Sequence, residues 1–153
     1  FLLSSAPALA QTGTCRDLAD EIVQQAAQDV LKVALRDNVA LRKLDGEDLA
    51  KLAGKQFLTA ERPDFKAYGF MLLLWYGGKE GRDMVANASE TLTTEKDRAH
   101  LFFVMGLFQL RSPNPKTAGA GRDLIRQLRD TGQVTFVSDE MWDQLIKKCR
   151  LPT

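Results

Sequence analysis

His100 is the only histidine in the 153-residue chain, and it stands in "TTEKDRAHLFF", one turn after Lys96 and Asp97. A catalytic histidine needs a nucleophile within hydrogen-bond reach and an acid to orient its ring. No G-x-S-x-G segment offers a serine. The two cysteines, Cys15 and Cys149, read as a bridged pair rather than free thiols. His100 is therefore read as a structural or surface residue.

Carboxylates offer a second kind of chemistry. They cluster as Glu80 with Asp83, Glu95 with Asp97, and Asp139 and Glu140 with Asp143. A hydrolase of cell-wall sugar requires one acid of raised pKa in an apolar cleft, with or without a second carboxylate. Most of these acids fall at expected helix starts, where capping and the helix dipole account for them. Glu90, in "ANASETL", lies near the hinge between two expected hairpins and is the one catalytic candidate. It defines the alternative reading, a small cell-envelope hydrolase with a carboxylate general acid.

Other motifs carry less. Gly119-Ala120-Gly121-Arg122 opens an expected helix, and glycines at a helix N-terminus can cradle phosphate. The motif lacks the third glycine of a dinucleotide fingerprint and the lysine of a P-loop, and no strand precedes it. Close packing at a hairpin turn explains it better. Asn87 begins an Asn-Ala-Ser sequon, read as a chance match. Phe70, Trp75, Tyr76 and Phe108 could line a ligand pocket, but aromatics at helical spacing are read as core. One histidine and two cysteines give no zinc site, and no cofactor or metal is expected.

The charge balance narrows the partners. Lysine and arginine total 21 against 20 aspartates and glutamates, a formal net charge of +1. No basic run exceeds two residues, so nucleic acid is not an expected partner. The longest apolar run, Phe70 to Tyr76, falls far short of the roughly 20 residues that span a bilayer. Stable membrane insertion is not expected.

The chain opens "FLLSSAPALAQTGTC". The tail of an apolar stretch followed by Ala8-Leu9-Ala10 matches the end of a secretory leader. Residues 1–10 are read as that remnant and residues 11–153 as one helical domain. Export places the cysteines in an oxidising compartment, so Cys15 and Cys149 are expected to form a disulfide joining the first helix to the last.

The elements that position these residues are helical. Residues 16–35 carry Leu18, Ile22, Val23, Ala26 and Val30 near helical spacing. A second helix begins around Asp45, a plausible cap, and Arg62-Pro63-Asp64 marks the next boundary. Residues 65–76 are read as a helix stopped by Gly77-Gly78, and residues 97–110 as another. Ser138 is expected to cap the last helix, which Pro152 closes. Residues 133–137, "QVTFV", have nothing obvious to pair with and are read as an extended linker.

Two of these segments correspond. Ala67, Phe70 and Tyr76 align with Ala99, Phe102 and Phe108, each pair 32 apart (99 − 67 = 32). Each segment is followed by a turn and an amphipathic stretch, "KEGRDMVANASETL" and "AGAGRDLIRQLRDTG". With Tyr76 or Phe108 near the end of the first helix, Ala88 in the second and a period of about 34 residues, residues 64–132 resemble the tetratricopeptide-type helical repeats. That resemblance implies helix-hairpin packing and protein binding.

The expected fold is all-α: about six helices, in antiparallel hairpins around one core, with the termini linked by a disulfide. Residues 65–76 and 97–110 form its centre, with Phe70, Leu73, Leu74, Phe102, Phe103, Leu107, Leu124 and Leu128 in the core. The expected function is a non-enzymatic module, exported to the periplasm or secreted, that binds another protein. An inhibitor or immunity-type protein, or an envelope adaptor or chaperone, fits this description.

Overall fold

A computed structural model describes residues 14–151. The leader reading at residues 1–10 and the closing Pro152 lie outside the described residues. Among the described residues there are seven α-helices and no strand. They are α1 (Cys15–Asp37), α2 (Gly46–Leu58), α3 (Pro63–Tyr76), α4 (Gly78–Ser89), α5 (Glu95–Leu110), α6 (Pro115–Thr131) and α7 (Asp139–Cys149), with a 3-10 turn at Val39–Lys43 after α1.

The all-helical expectation holds, and the count is seven rather than about six. Gly77 ends α3 and α4 begins at the next residue. Gly78 makes this break with φ +65°, a left-handed conformation that glycine adopts without a Cβ penalty. Local signals set several other boundaries. Pro63 and Pro115 sit in the first turns of α3 and α6, where a missing N–H costs nothing. The Ser138 hydroxyl accepts from the Met141 N–H and starts α7 as expected. Asp45 occupies the cap position of α2, but its side chain makes no capping bond. Residues 133–137 are neither helix nor strand, and the chain bends at Phe136.

The described residues divide into two compact units. One covers residues 26–101. Its core joins Ala27, Val30 and Ala34 of α1, Leu41 of the 3-10 turn, Ala53 and Phe57 of α2, and Leu72 of α3. Phe57 meets Phe65 edge-on at 6.1 Å between centroids. In α3, Ala67 and residues 69–74 are all buried. An uninterrupted apolar run suits such a helix, because it has no wet face to keep polar.

The other unit covers the start of α1 and residues 102–151. Leu18, Ile22, Val23, Phe103, Val104, Leu107, Ile125, Leu128 and Leu145 are buried within it. Phe103 packs edge-on against Phe136 and Trp142, each at 5.5 Å. Cys15 and Cys149 are disulfide-bonded with their Cα atoms 4.6 Å apart, as expected. Arg111 Nε donates to Asp20 Oδ1 at 2.9 Å.

Three residues expected in the core are placed differently, the first being Tyr76, which is exposed at the last position of α3. Phe102 is 41% exposed, because at 100° per residue the buried stripe of α5 runs through Phe103, Val104 and Leu107 and leaves Phe102 on the outside. Leu124 is only partly buried, and its neighbour Ile125 takes the interior position on α6. Phe70, Leu73, Leu74, Phe103, Leu107 and Leu128 are buried as expected.

Candidate functional site

His100 lies in α5 with no solvent exposure. Its Nδ1 is 2.8 Å from the Lys96 carbonyl oxygen. A carbonyl only accepts, so Nδ1 carries the proton and the neutral ring keeps its lone pair on Nε2. Burial lowers the pKa of His100, a pull only partly offset by the Lys96 hydrogen bond and the nearby charges of Asp64 and Asp97.

Asp97, also buried, receives Lys66 Nζ of α3 at 2.7 Å. Thr94 caps the helix beneath it by accepting the Asp97 N–H at 3.1 Å. Arg62 holds Asp64 with two hydrogen bonds, Nε to Oδ1 at 3.2 Å and Nη2 to Oδ2 at 2.7 Å. Burial also raises the pKa of the Tyr68 phenol, with Asp64 and Asp29 adding to the effect. The starts of α3 and α5 thus carry a set of charged and polar groups engaged with one another. A general base must reach the proton it removes, and the ring of His100 has no exposed surface.

The remaining sequence candidates are dispersed. Glu90 is exposed at the C-cap of α4. Glu80 pairs with Lys51 at 3.2 Å and Asp83 with Lys79 at 3.3 Å. Glu95, Asp139 and Glu140 occupy first turns of their helices. Asn87 lies exposed within α4. Among the described residues, no three His, Cys, Asp or Glu side chains gather as a metal cradle.

Gly119 and Gly121 do not open α6. Asn114 accepts the Lys116 N–H and Pro115 begins the helix, which puts both glycines in its interior. Gly121 is there for contact: a Cβ on it would lie 2.7 Å from the Gly106 carbonyl oxygen on α5.

The same seam occurs a second time. On α2 and α3, a Cβ on Gly69 would lie 2.8 Å from the Gly54 carbonyl oxygen. The two seams are offset by 52 residues (106 − 54 = 121 − 69 = 52). Their surroundings repeat too. Leu73 side-chain carbon lies against Gly54 as Ile125 lies against Gly106, four residues after the facing glycine in each case. The pattern G-x3-L-x4-P-x5-G-x3-[LI] runs through Gly54, Leu58, Pro63, Gly69 and Leu73, and again through Gly106, Leu110, Pro115, Gly121 and Ile125. Sequence reasoning followed aromatic residues 32 apart and missed this pattern. Searching for repeated glycine and proline positions would have found it.

The two hairpins differ in which face they hide. In the first, Ala50 is 3% and Ala53 0% exposed, and Ala53 packs in the cluster with Ala27, Val30 and Ala34. Their counterparts 52 residues on are Phe102 and Met105, 41% and 37% exposed. The α5–α6 hairpin therefore turns two large apolar side chains to solvent where the α2–α3 hairpin is covered.

The fold and these surfaces describe an all-helical, disulfide-bonded chain built on a repeated glycine-seamed hairpin. No protein-family model, curated protein or solved structure matches it significantly. No helix among the described residues is long and apolar enough to cross a membrane.

Proposed function

We propose that this protein is an exported, non-enzymatic module that binds another protein, in the periplasm or outside the cell. The observation that carries the reading is the exposure of Phe102 and Met105 side by side on α5. Adjacent exposed apolar side chains are the kind of surface that a protein contact covers. The disulfide between Cys15 and Cys149 supports residence in an oxidising compartment. The likeness of residues 64–132 to tetratricopeptide-type repeats belongs to the same proposal, and the successive helices α3 to α6 are in keeping with it. An inhibitor or immunity-type protein and an envelope adaptor or chaperone are the roles such a module serves.

Immobilised protein exposed to periplasmic extract, with chemical crosslinking and mass spectrometry, tests the reading. One or a few partners retained at stoichiometric level, and displaced by free protein, are expected. Failure to retain any such protein counts against binding. Clearing of a peptidoglycan zymogram by the wild type, lost in Glu90→Gln, would replace the reading with the hydrolase.

A further inference from the structure

We infer that the arginine stripe of α6, formed by Arg122, Arg126 and Arg129, receives an acidic helix of a partner protein. The inference rests on the protein-binding reading above and names a surface and the chemistry of the partner.

The three residues stand at i, i+4 and i+7, so they share one face of α6 over about 10 Å of its axis. Among the described residues, Arg111, Arg122, Arg126 and Arg129 are the partly buried arginines, and the others are exposed. Arg111 is neutralised by Asp20 at 2.9 Å. Arg122 and Arg126 make no ion pair or hydrogen bond among the described residues. Arg129 has the adjacent Asp130 at 3.4 Å, yet its side chain is only 16% exposed and its Nη1 is buried without a hydrogen-bond partner. A cation withdrawn from water is costly unless it is paired. Like charges at i, i+4 add repulsion. The stripe therefore holds three guanidinium groups together with little to balance them.

Helix chemistry accounts for one of the three. Arg129 lies in the last turn of α6, where the helix dipole favours a cation. Arg122 and Arg126 lie further in than that effect reaches. Arg122 is also given room. Its Nη2 lies 3.6 Å from where a Cβ on Gly119 would stand, so it leans over a position without a side chain.

The repeat shows the same positions used for contact elsewhere. Moving back 52 residues carries Arg122 to Phe70 and Arg126 to Leu74, both buried in α3. Where the first hairpin buries apolar side chains, the second presents cations, and an occupant of this face needs acids. Guanidinium forks bond carboxylates two N–H groups at a time. Exposed Asp123 and Asp130 flank the stripe on one side, and a continuous polyanion would meet them as like charges. The net charge of +1 gives such a polyanion no long-range pull. A helix with acids at i, i+4 and i+7 matches the stripe over the same two turns.

The probe is a fluorescent helical peptide with Glu at i, i+4 and i+7, titrated against the disulfide-bonded full chain by anisotropy. A Gln version of the peptide, duplex DNA and phosphatidylglycerol vesicles are titrated alongside. Saturable binding of the Glu peptide alone is expected, weakened at least about ten-fold in Arg122→Gln/Arg126→Gln by the loss of two charge-assisted contacts. Arg122→Glu/Arg126→Glu should lose the Glu peptide and gain a Lys version of it, an exchange that a merely structural role does not produce. Circular dichroism melts confirm folding, and the Gln pair carries the test where the Glu pair does not fold. Arg16→Gln/Arg82→Gln, at two exposed positions, controls for total charge. Absent saturation, or equal loss in that control, overturns the inference. So does equal or tighter binding of DNA or vesicles that Arg122→Gln/Arg126→Gln removes, since the stripe then belongs to a polyanion. The extract experiment separates the two levels. A partner retained equally by wild type and Arg122→Gln/Arg126→Gln sinks this face and leaves the protein-binding reading standing. No partner retained by either sinks that reading, while the peptide titration still judges the stripe.

Discussion

Gly54 and Gly69 meet across α2 and α3 so closely that a Cβ on Gly69 would stand 2.8 Å from the Gly54 carbonyl oxygen. No side chain fits between two helix backbones at that separation. The contact lets the α3 side chains reach past the seam, and Leu73 lies directly over Gly54. Gly106 and Gly121 repeat the arrangement with Ile125 in the place of Leu73. The chain thus uses one packing device twice, and its consequences can be tested at each copy.

At the seam, the obstacle to an added methyl is backbone. Gly69→Ala and Gly121→Ala should each destabilise the protein by about 1–3 kcal/mol, the usual cost of overpacking. Gly119 provides the contrast two residues away. A Cβ there would meet only Arg122 Nη2, at 3.6 Å. Replacing an unconstrained glycine within a helix by alanine removes backbone entropy, so Gly119→Ala should stabilise by up to about 1 kcal/mol. Urea denaturation of the three variants checks the signs, and a stable Gly121→Ala would refute the seam.

The Cys15–Cys149 bridge joins residues 134 apart in sequence. Closing a loop of that length is worth about 5 kcal/mol in the chain-entropy model. Cys15→Ser/Cys149→Ser should lose most of that, with a large fall in the urea midpoint. Reducing the wild type should reproduce the loss without further change in the double variant. A shift of under about 1 kcal/mol would mean that packing alone fixes the ends of the chain.

Burial makes the protonation of His100 unfavourable in the folded chain, and its pKa falls below the ordinary value. The unfolded chain therefore binds this proton more readily. The stabilisation is fully present above the ordinary histidine value, about 6.5. It is lost progressively as pH falls from there toward the lowered folded value. Urea midpoints between about pH 4 and 8 should decline below about 6.5 in the wild type, and His100→Gln should flatten that part of the curve. An identical slope in the variant would assign the pH dependence elsewhere.

Much of this architecture was legible because it depends on local chemistry. Pro63, Gly77 and Ser138 punctuate helices by rules that involve only their own turns. The cysteine pairing followed from there being two. Phe102 was misplaced because "LFFVMGLF" is apolar on every side, and an all-round apolar helix has no period from which to read its buried face. The glycine seams were missed for another reason. A glycine in a helix looks locally like a defect, and only the opposing backbone reveals its use. The starts of α3 and α5 converge through long-range pairs such as Lys66–Asp97, which no spacing along the chain encodes.

Lys66 Nζ and Asp97 Oδ2 are 2.7 Å apart, and both side chains are largely withdrawn from water. Each charge then depends on the other for compensation. A double-mutant cycle of Lys66→Met and Asp97→Asn should give a coupling energy toward the upper part of the usual range of about 0.5–3 kcal/mol. Screening acts weakly on buried pairs, so the coupling should persist in about 1 M salt. Coupling that vanishes with salt would place the pair in solvent.

Phe102 and Phe103 are adjacent, identical in composition and opposite in environment. Phe103 is fully buried with Phe136 and Trp142 edge-on around it, whereas Phe102 faces solvent. Phe103→Ala should therefore cost about 3–5 kcal/mol through lost transfer energy and the cavity left behind. Phe103→Asp should abolish folding, because it buries a carboxylate among aromatic rings. Phe102→Ala should change stability by no more than about 0.5 kcal/mol. Thermal and urea melts of the three variants decide between the two faces of α5. A cooperatively melting Phe103→Asp protein, or a Phe102→Ala variant as damaged as Phe103→Ala, would mean that the helix is rotated about its axis from the orientation described.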